Sequence, residues 1–262
     1  MLVLLVRRRM IVDLRSIGID KKSQKNQYIR DIETDGFAGA IRGTFPFMAK
    51  LSQLIPIPVF EAGAESAKRL RQYAEQSIER SNRVAAEDES YPMLLKKLFR
   101  TDENGLSSSD IVDNAMGFII AGSDTTSNTM TYLTWAVCKH VQVRNSLVEE
   151  LRSLPPEFSE KDLRGLVWLN NIIKETLRLY CAAPSALPRI VPAEGAEFLG
   201  HKLPGGTTVS TQAYTLHRNA EIFPNPESFE PRRWTTPSQE MKDAYMPFGG
   251  GSRGWSYHFS LS

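Results

Sequence analysis

Apolar residues return at every third or fourth position over most of the first 180 residues, so helices dominate the expected fold. The longest such run covers residues 110–140, where Ile111, Ala115, Phe118 and Ile119, then Met130, Leu133, Val137 and Cys138, keep the helical spacing. Between the two halves stands Ala121-Gly122-Ser123-Asp124-Thr125-Thr126-Ser127-Asn128-Thr129, which strings together poor helix formers, each costing roughly 0.5–1 kcal/mol relative to Ala. The pattern predicts a long buried helix with a local weak point. Gly122 lets another group approach the backbone, while the hydroxyl of Thr125 or Thr126 and the carboxylate of Asp124 take over hydrogen bonds at a widened turn. Such a groove admits water or a small diatomic molecule. The alternative is an ordinary core helix whose Ser and Thr side chains bond back to their own carbonyls.

Residues 1–35 are polar and basic, and the cluster Lys21-Lys22-Ser23-Gln24-Lys25-Asn26-Gln27 predicts a loop. Residues 37–54 form a helix-prone apolar stretch closed by Ile55-Pro56-Ile57-Pro58, where the prolines force extended chain. Residues 61–84 read as an amphipathic surface helix with Leu70, Tyr73, Ala74, Ser77 and Ile78 on one stripe. A short apolar helix over residues 91–100 and a loop follow. Ser109 is the expected N-cap of the long helix, with Val112 where a capping-box Glu would sit and with Asp110 and Asp113 near the positive end of the helix dipole. Residues 143–154 make another helix, stopped by Pro155-Pro156, and Ser159-Glu160-Lys161-Asp162 is a capping box opening a short helix. Residues 169–180 are amphipathic, with Ile172, Ile173, Thr176, Leu177 and Tyr180 on one face and Glu175 and Arg178 at i and i+3. As an exposed pair those two would contribute only about 0.2–1 kcal/mol. From there the period changes to two, predicting short strands at 186–191, 196–202 and 207–214, before a proline-marked irregular stretch. The fold class is mainly α with a small β portion.

Composition narrows the function. The 262 residues are 41% hydrophobic, enough for a core, and the net charge of +2 without any long Lys/Arg run argues against a nucleic-acid partner. Cys138 and Cys181 have no metal-ligand spacing and are too few for a disulfide framework, which suits a reducing compartment and buried, inert thiols. The apolar start, Met1 to Val6, falls far short of the ~20 residues a spanning helix needs. As written the chain has no membrane anchor and would be cytoplasmic.

Four motifs in order resemble one family. Ala121-Gly122-Ser123-Asp124-Thr125-Thr126 resembles the oxygen-binding helix motif of the cytochrome P-450 heme-thiolate monooxygenases. Glu175-Thr176-Leu177-Arg178 resembles their Glu-x-x-Arg, Phe229-Glu230-Pro231-Arg232-Arg233-Trp234 their Phe-x-Pro-x-Arg-Trp meander, and residues 247–254 the start of their heme-binding loop. Residues 26–262 are therefore similar to the second half of such a protein, in a fungal style of sequence: a partial cytochrome P-450 domain, preceded by residues 1–25 with no structural assignment.

The resemblance implies roles. Thr125 would donate toward iron-bound oxygen with Asp124 as its acidic neighbour in proton delivery, and Ala121 and Gly122 would form the groove wall over the heme. Glu175 and Arg178 would join Arg233 in a buried structural cluster holding the meander under the heme loop. Arg189 and Arg253 resemble the arginines that pair with heme propionates, and Phe248 and Gly251 belong to the heme loop pattern. Ala182, Ala183, Pro184, Ser185, Ala186 and Leu187 would line the substrate pocket. Family members of this type are anchored in the endoplasmic-reticulum membrane and take electrons from an NADPH-dependent reductase to insert one atom of O2 into a small apolar organic substrate.

The departure is at the metal ligand. The family pattern Phe-x-x-Gly-x-Arg-x-Cys-x-Gly is met by Phe248, Gly251 and Arg253, but its Cys position is Trp255 and its last Gly position is Tyr257. Indole nitrogen is a donor only and cannot replace the thiolate. The expectation is a truncated, inactive monooxygenase sequence, from an incomplete gene model or a spliced transcript. The competing readings are a degenerate heme-binding protein using His258 and a non-catalytic helical interaction protein.

Overall fold

Prolines and capping side chains set where the helices begin and end. A computed structural model of the chain describes residues 26–87 and 107–250. In order come α1 (Gln27–Thr44), α2 (Pro46–Leu51), α3 (Pro58–Glu87), α4 (Ser108–Lys139), α5 (Val141–Arg152), α6 (Glu160–Arg164), α7 (Val167–Tyr180), β1 (Ala186–Ile190), β2 (Ala196–Phe198), β3 (His201–Leu203), β4 (Thr208–Gln212), α8 (Ala213–Leu216), a 3-10 turn (Pro231–Trp234) and α9 (Gln239–Ala244). The fold is mainly helical with small sheets. It divides into two compact units, one up to Gly122 and one from Ser123.

In the first unit the last two residues of the expected loop, Asn26 and Gln27, are the cap and first residue of a helix, and residues 21–25 of that loop lie outside the described residues. Asn26 caps α1, its side-chain oxygen accepting from Tyr28 N at 3.0 Å, so the helix begins ten residues before the apolar stretch at Phe37. It is held by tertiary contacts that local polarity does not reveal. Asp31, only 1% exposed, accepts from Arg69 Nε and Nη2 on α3 at 3.0 and 2.7 Å and from Gln27 at 2.9 Å. Burial alone would raise the pKa of Asp31, but these hydrogen bonds outweigh it and leave the carboxyl below its ordinary range. Tyr28 meets Tyr73 edge-on at 5.3 Å. The expected helix over residues 37–54 is broken at Phe45, with Pro46 opening α2.

The stripe α3 buries is Phe60, Gly63, Ser66, Leu70 and Ala74, while Ser77 is exposed and bonds back to Tyr73 O. The cap of α4 is Ser107 rather than Ser109. Asp110 N donates to Ser107 Oγ at 3.2 Å while Asp110 Oδ2 accepts from Ser107 N at 3.0 Å, a capping box with Asp in the Glu position. Ser109 instead accepts from Arg71 Nη2 at 3.1 Å, and Arg71 also pairs with Asp113. The expected helix over residues 91–100 lies outside the described residues.

In the second unit α7 is the central element. Its N-terminus has no side-chain cap of its own; Glu150 of α5 supplies one, accepting from Trp168 N and Leu169 N at 2.7 and 2.8 Å. Ile172 and Leu179 pack with Ala136, Val137, Leu147 and Phe229, and a second cluster joins Phe223, Trp234, Met241 and Ala244. Capping of α6 follows the expected box, Ser159 with Asp162. The segment 196–202, expected as one strand, is a hairpin: β2 pairs antiparallel with β3 through Leu199 and Gly200, both at positive φ (50° and 81°). β1 pairs with β4 from Ala186↔Gln212 to Ile190↔Thr208.

Candidate functional site

The Glu175 carboxylate on α7 accepts five hydrogen bonds. Helical spacing puts Arg178 one turn on, and Arg178 Nε and Nη2 donate to Oε2 and Oε1 at 3.0 and 2.9 Å. The proline-rich stretch after α8 then folds back over the helix. Arg233 Nε and Glu230 N donate to Oε1 at 3.0 and 2.9 Å, and Trp234 Nε1 donates to Oε2 at 2.9 Å. Glu175 and Arg178 are fully buried and the Arg233 side chain is 6% exposed. The remaining Arg178 hydrogens reach the backbone oxygens of His217, Pro226 and Ser228, and those of Arg233 reach Pro224 O, Asn225 O and the Glu230 carboxylate. Two guanidiniums on one carboxylate, with main-chain acceptors around them, form a charge cluster that fixes an otherwise irregular stretch to a helix. So Glu175, Arg178 and Arg233 come together.

His217 completes this region and no sequence motif marks it. Its ring is fully buried, with Nδ1 2.9 Å from Arg178 O and Nε2 accepting from Met246 N at 2.9 Å. Burial pushes its pKa down to about 4, with the cations of Arg178 and Arg218 acting in the same sense and the bond to the Arg178 carbonyl opposing them. Tyr245 stacks on it at 5.6 Å and, by burial, has its phenol pKa raised. Only its distance from Arg178 in sequence hid it; a His-Arg pair ahead of a proline-marked stretch carries no periodic signal.

The other expected site residues are elsewhere. Ala121 is half-buried, whereas Gly122, Asp124 and Thr125 are exposed on α4. The helix runs unbroken through them. No widened turn forms there. Ser127 Oγ donates to Asp124 O at 3.0 Å, Thr129 Oγ1 to Thr125 O at 2.9 Å and Thr131 Oγ1 to Ser127 O at 2.8 Å, so hydroxyls supplement the helical ladder instead of opening it. Nor is the helix a buried one, for Met130, Tyr132 and Trp135 are 41–55% exposed. Along 182–187 only Pro184 and Leu187 are half-buried, and Ala182, Ala183, Ser185 and Ala186 are exposed. Arg189 is exposed and donates to its neighbour Pro188 O, and Phe248 is 46% exposed. Gly251, Arg253, Trp255 and His258 lie outside the described residues.

This donor set does not fit a heme-thiolate group. Cys138 is exposed rather than buried, and it stands 13 residues past Thr125 on α4, roughly 20 Å along the axis. Cys181 is buried at the end of α7, and burial raises its pKa, which holds it as a thiol. The position at which the resemblance expects the family's ligand is Trp255, outside the described residues. Among the described residues no His, Cys, Asp and Glu gather in a metal-binding group, and no helix is long and apolar enough to cross a membrane.

Comparison with known proteins addresses the family. The Cytochrome P-450 family model matches residues 17–254. The chain is 44% identical over 238 residues to the cytochrome P-450 monooxygenase tazI of Aspergillus terreus, covering 89% of this chain and 49% of that protein. It is 45% identical over 240 residues to the cytochrome P-450 monooxygenase orf2 of Aspergillus niger, covering 90% and 49%. With azaI of the same species, also a cytochrome P-450 monooxygenase, it shares 41% over 261 residues, 90% of this chain and 56% of the relative. The chain spans about half the length of the curated relatives it matches. A family model that matches most of this chain and fungal relatives above 40% identity show that the chain belongs to the cytochrome P-450 family.

Proposed function

We propose that residues 26–262 are a partial cytochrome P-450 domain that keeps the family's structural cluster but, with Trp255 at the ligand position, does not carry out the family's chemistry. That chemistry is heme-dependent monooxygenation, inserting one oxygen atom from O2 into a small apolar organic substrate with electrons from an NADPH-dependent reductase. The observation that carries the reading is the donor set: Trp255 stands where the thiolate belongs, Cys181 is a buried thiol and Cys138 is out of reach along α4. Glu175, Arg178 and Arg233 are structural in this reading, locking the Phe229–Trp234 meander onto α7. Asp124 and Thr125 occupy the oxygen-side positions, and Ala121, Gly122, Arg189, Phe248, Gly251 and Arg253 the heme-side positions, of a site lacking its metal ligand. Residues 182–187 take the place of the substrate wall.

The test is spectroscopic. The purified chain is titrated with hemin, reduced with dithionite and exposed to carbon monoxide. The expected result is no thiolate-type band and no turnover above a heme-only control. A thiolate-type band from the unaltered chain overturns the reading.

A further inference from the structure

His217 belongs to none of the motifs, yet it is fully buried where α7, the stretch after α8 and the stretch after α9 meet. Its ring is held edge-on by Phe223 at 6.3 Å and face-on by Tyr245 at 5.6 Å. One ring nitrogen meets the carbonyl of Arg178 and the other the amide of Met246, each at 2.9 Å. A carbonyl only accepts and an amide N–H only donates, so both bonds exist only in the neutral imidazole with its proton on Nδ1. The Arg178 carbonyl belongs to the last turn of α7, whose carbonyls the helix itself leaves open. Arg178 returns the contact, Nη1 donating to His217 O at 2.6 Å, and Arg218 Nη2 donates to Leu179 O at 2.9 Å, so this short stretch caps the helix twice.

We infer that His217 is a positioning residue: its neutral, Nδ1-protonated ring transmits the placement of the charged cluster to the backbone at Met246, and a second proton on the ring releases residues 245–250. That second proton would point Nε2–H at Met246 N–H, donor against donor, in a fully buried site. The charged and titratable groups around the ring oppose it on balance. From α7 come Arg178 and the carboxylate of Glu175, which already takes five donors; from its own stretch comes Arg218; from beyond α9 comes the Tyr245 phenol. The depressed pKa of about 4 agrees with that geometry. Because Met246 immediately precedes the glycine-rich loop, the ring sets how that loop leaves the core, whether or not heme binds.

Long-range proton–nitrogen correlation on the 15N-labelled full chain reads the tautomer directly. At pH 7.5 the expected state of His217 is protonated Nδ1 and bare Nε2, with no titration until the pH nears 4. Amide protection at residues 245–250 should fall by about tenfold or more as the ring takes its second proton. In His217→Gln, which cannot titrate, that protection should not vary with pH over the same range. A ring protonated on Nε2, a titration near 6.5, or the same pH-dependent loss of protection in His217→Gln overturns the inference. If the variant does not fold, the tautomer and titration of the wild-type ring decide it alone.

Discussion

Replacing Glu175 with Ala tests how much of the fold rests on one carboxylate. The side chain accepts five hydrogen bonds, from Arg178 Nε and Nη2, Arg233 Nε, Glu230 N and Trp234 Nε1. Truncation leaves the Arg178 guanidinium fully buried with only neutral carbonyls of His217, Pro226 and Ser228 around it. Breaking a buried ion pair from one side costs about 3–5 kcal/mol. The stranded Trp234 and Glu230 donors add about 1–3 kcal/mol each if water does not enter. Arg233 suffers less, since its side chain is 6% exposed and keeps Glu230 at 3.5 Å. The sum is on the order of 5 kcal/mol or more, against a total stability of roughly 5–15 kcal/mol for a natural domain. Urea unfolding followed by tryptophan fluorescence should therefore show little or no folded baseline for Glu175→Ala. Glu149→Ala removes an exposed i,i+3 pair with Arg152 and should change stability by less than about 0.5 kcal/mol. A Glu175→Ala midpoint within about 1 kcal/mol of wild type would refute the claim that this carboxylate organises the unit.

Acidification acts through His217. Its pKa in the folded chain, about 4, lies below the ordinary 6.5, so the unfolded chain binds the proton first. Stability is unaffected above about pH 6.5, declines as the pH falls toward 4, and loses about 3 kcal/mol from this group in all. Urea midpoints that fall equally in wild type and His217→Gln over that interval would contradict this. Two glycines should respond in opposite directions. A Cβ at Gly63 would stand 2.5 Å from Ala38 Cβ, so Gly63→Ala should destabilise by about 1–3 kcal/mol despite its helix propensity. At Gly122, exposed and with nothing described within 4 Å of an added Cβ, Ala should stabilise by about 0.5–1 kcal/mol. Thermal unfolding of the two variants decides between these signs.

Local chemistry was enough to place most elements. Helical spacing marked α3, α4, α5 and α7, the Ser159–Asp162 box marked the start of α6, and Pro155-Pro156 marked the end of α5. These features act over three or four residues, the range across which side chains compete for their own backbone. Glu175 and Arg178 were visible as neighbours for the same reason, and resemblance to the family added Arg233.

What the pattern alone did not carry was burial. As an isolated i,i+3 pair, Glu175 and Arg178 are indistinguishable from a solvated surface pair; the stretch 217–234, returning over α7, makes them a buried cluster. The same return buries His217, whose partner Met246 lies 29 residues along the chain. Asp31 sits in a polar stretch that carries no helical period, and Arg69, 38 residues away, makes it part of a helix interface. Conversely, the spacing of α4 suggested a buried helix, but exposure of its Gly122–Ser127 stretch depends on which elements pack there. Hydrogen bonds and desolvation are set by what surrounds a side chain, and over separations of this size only the tertiary structure decides it.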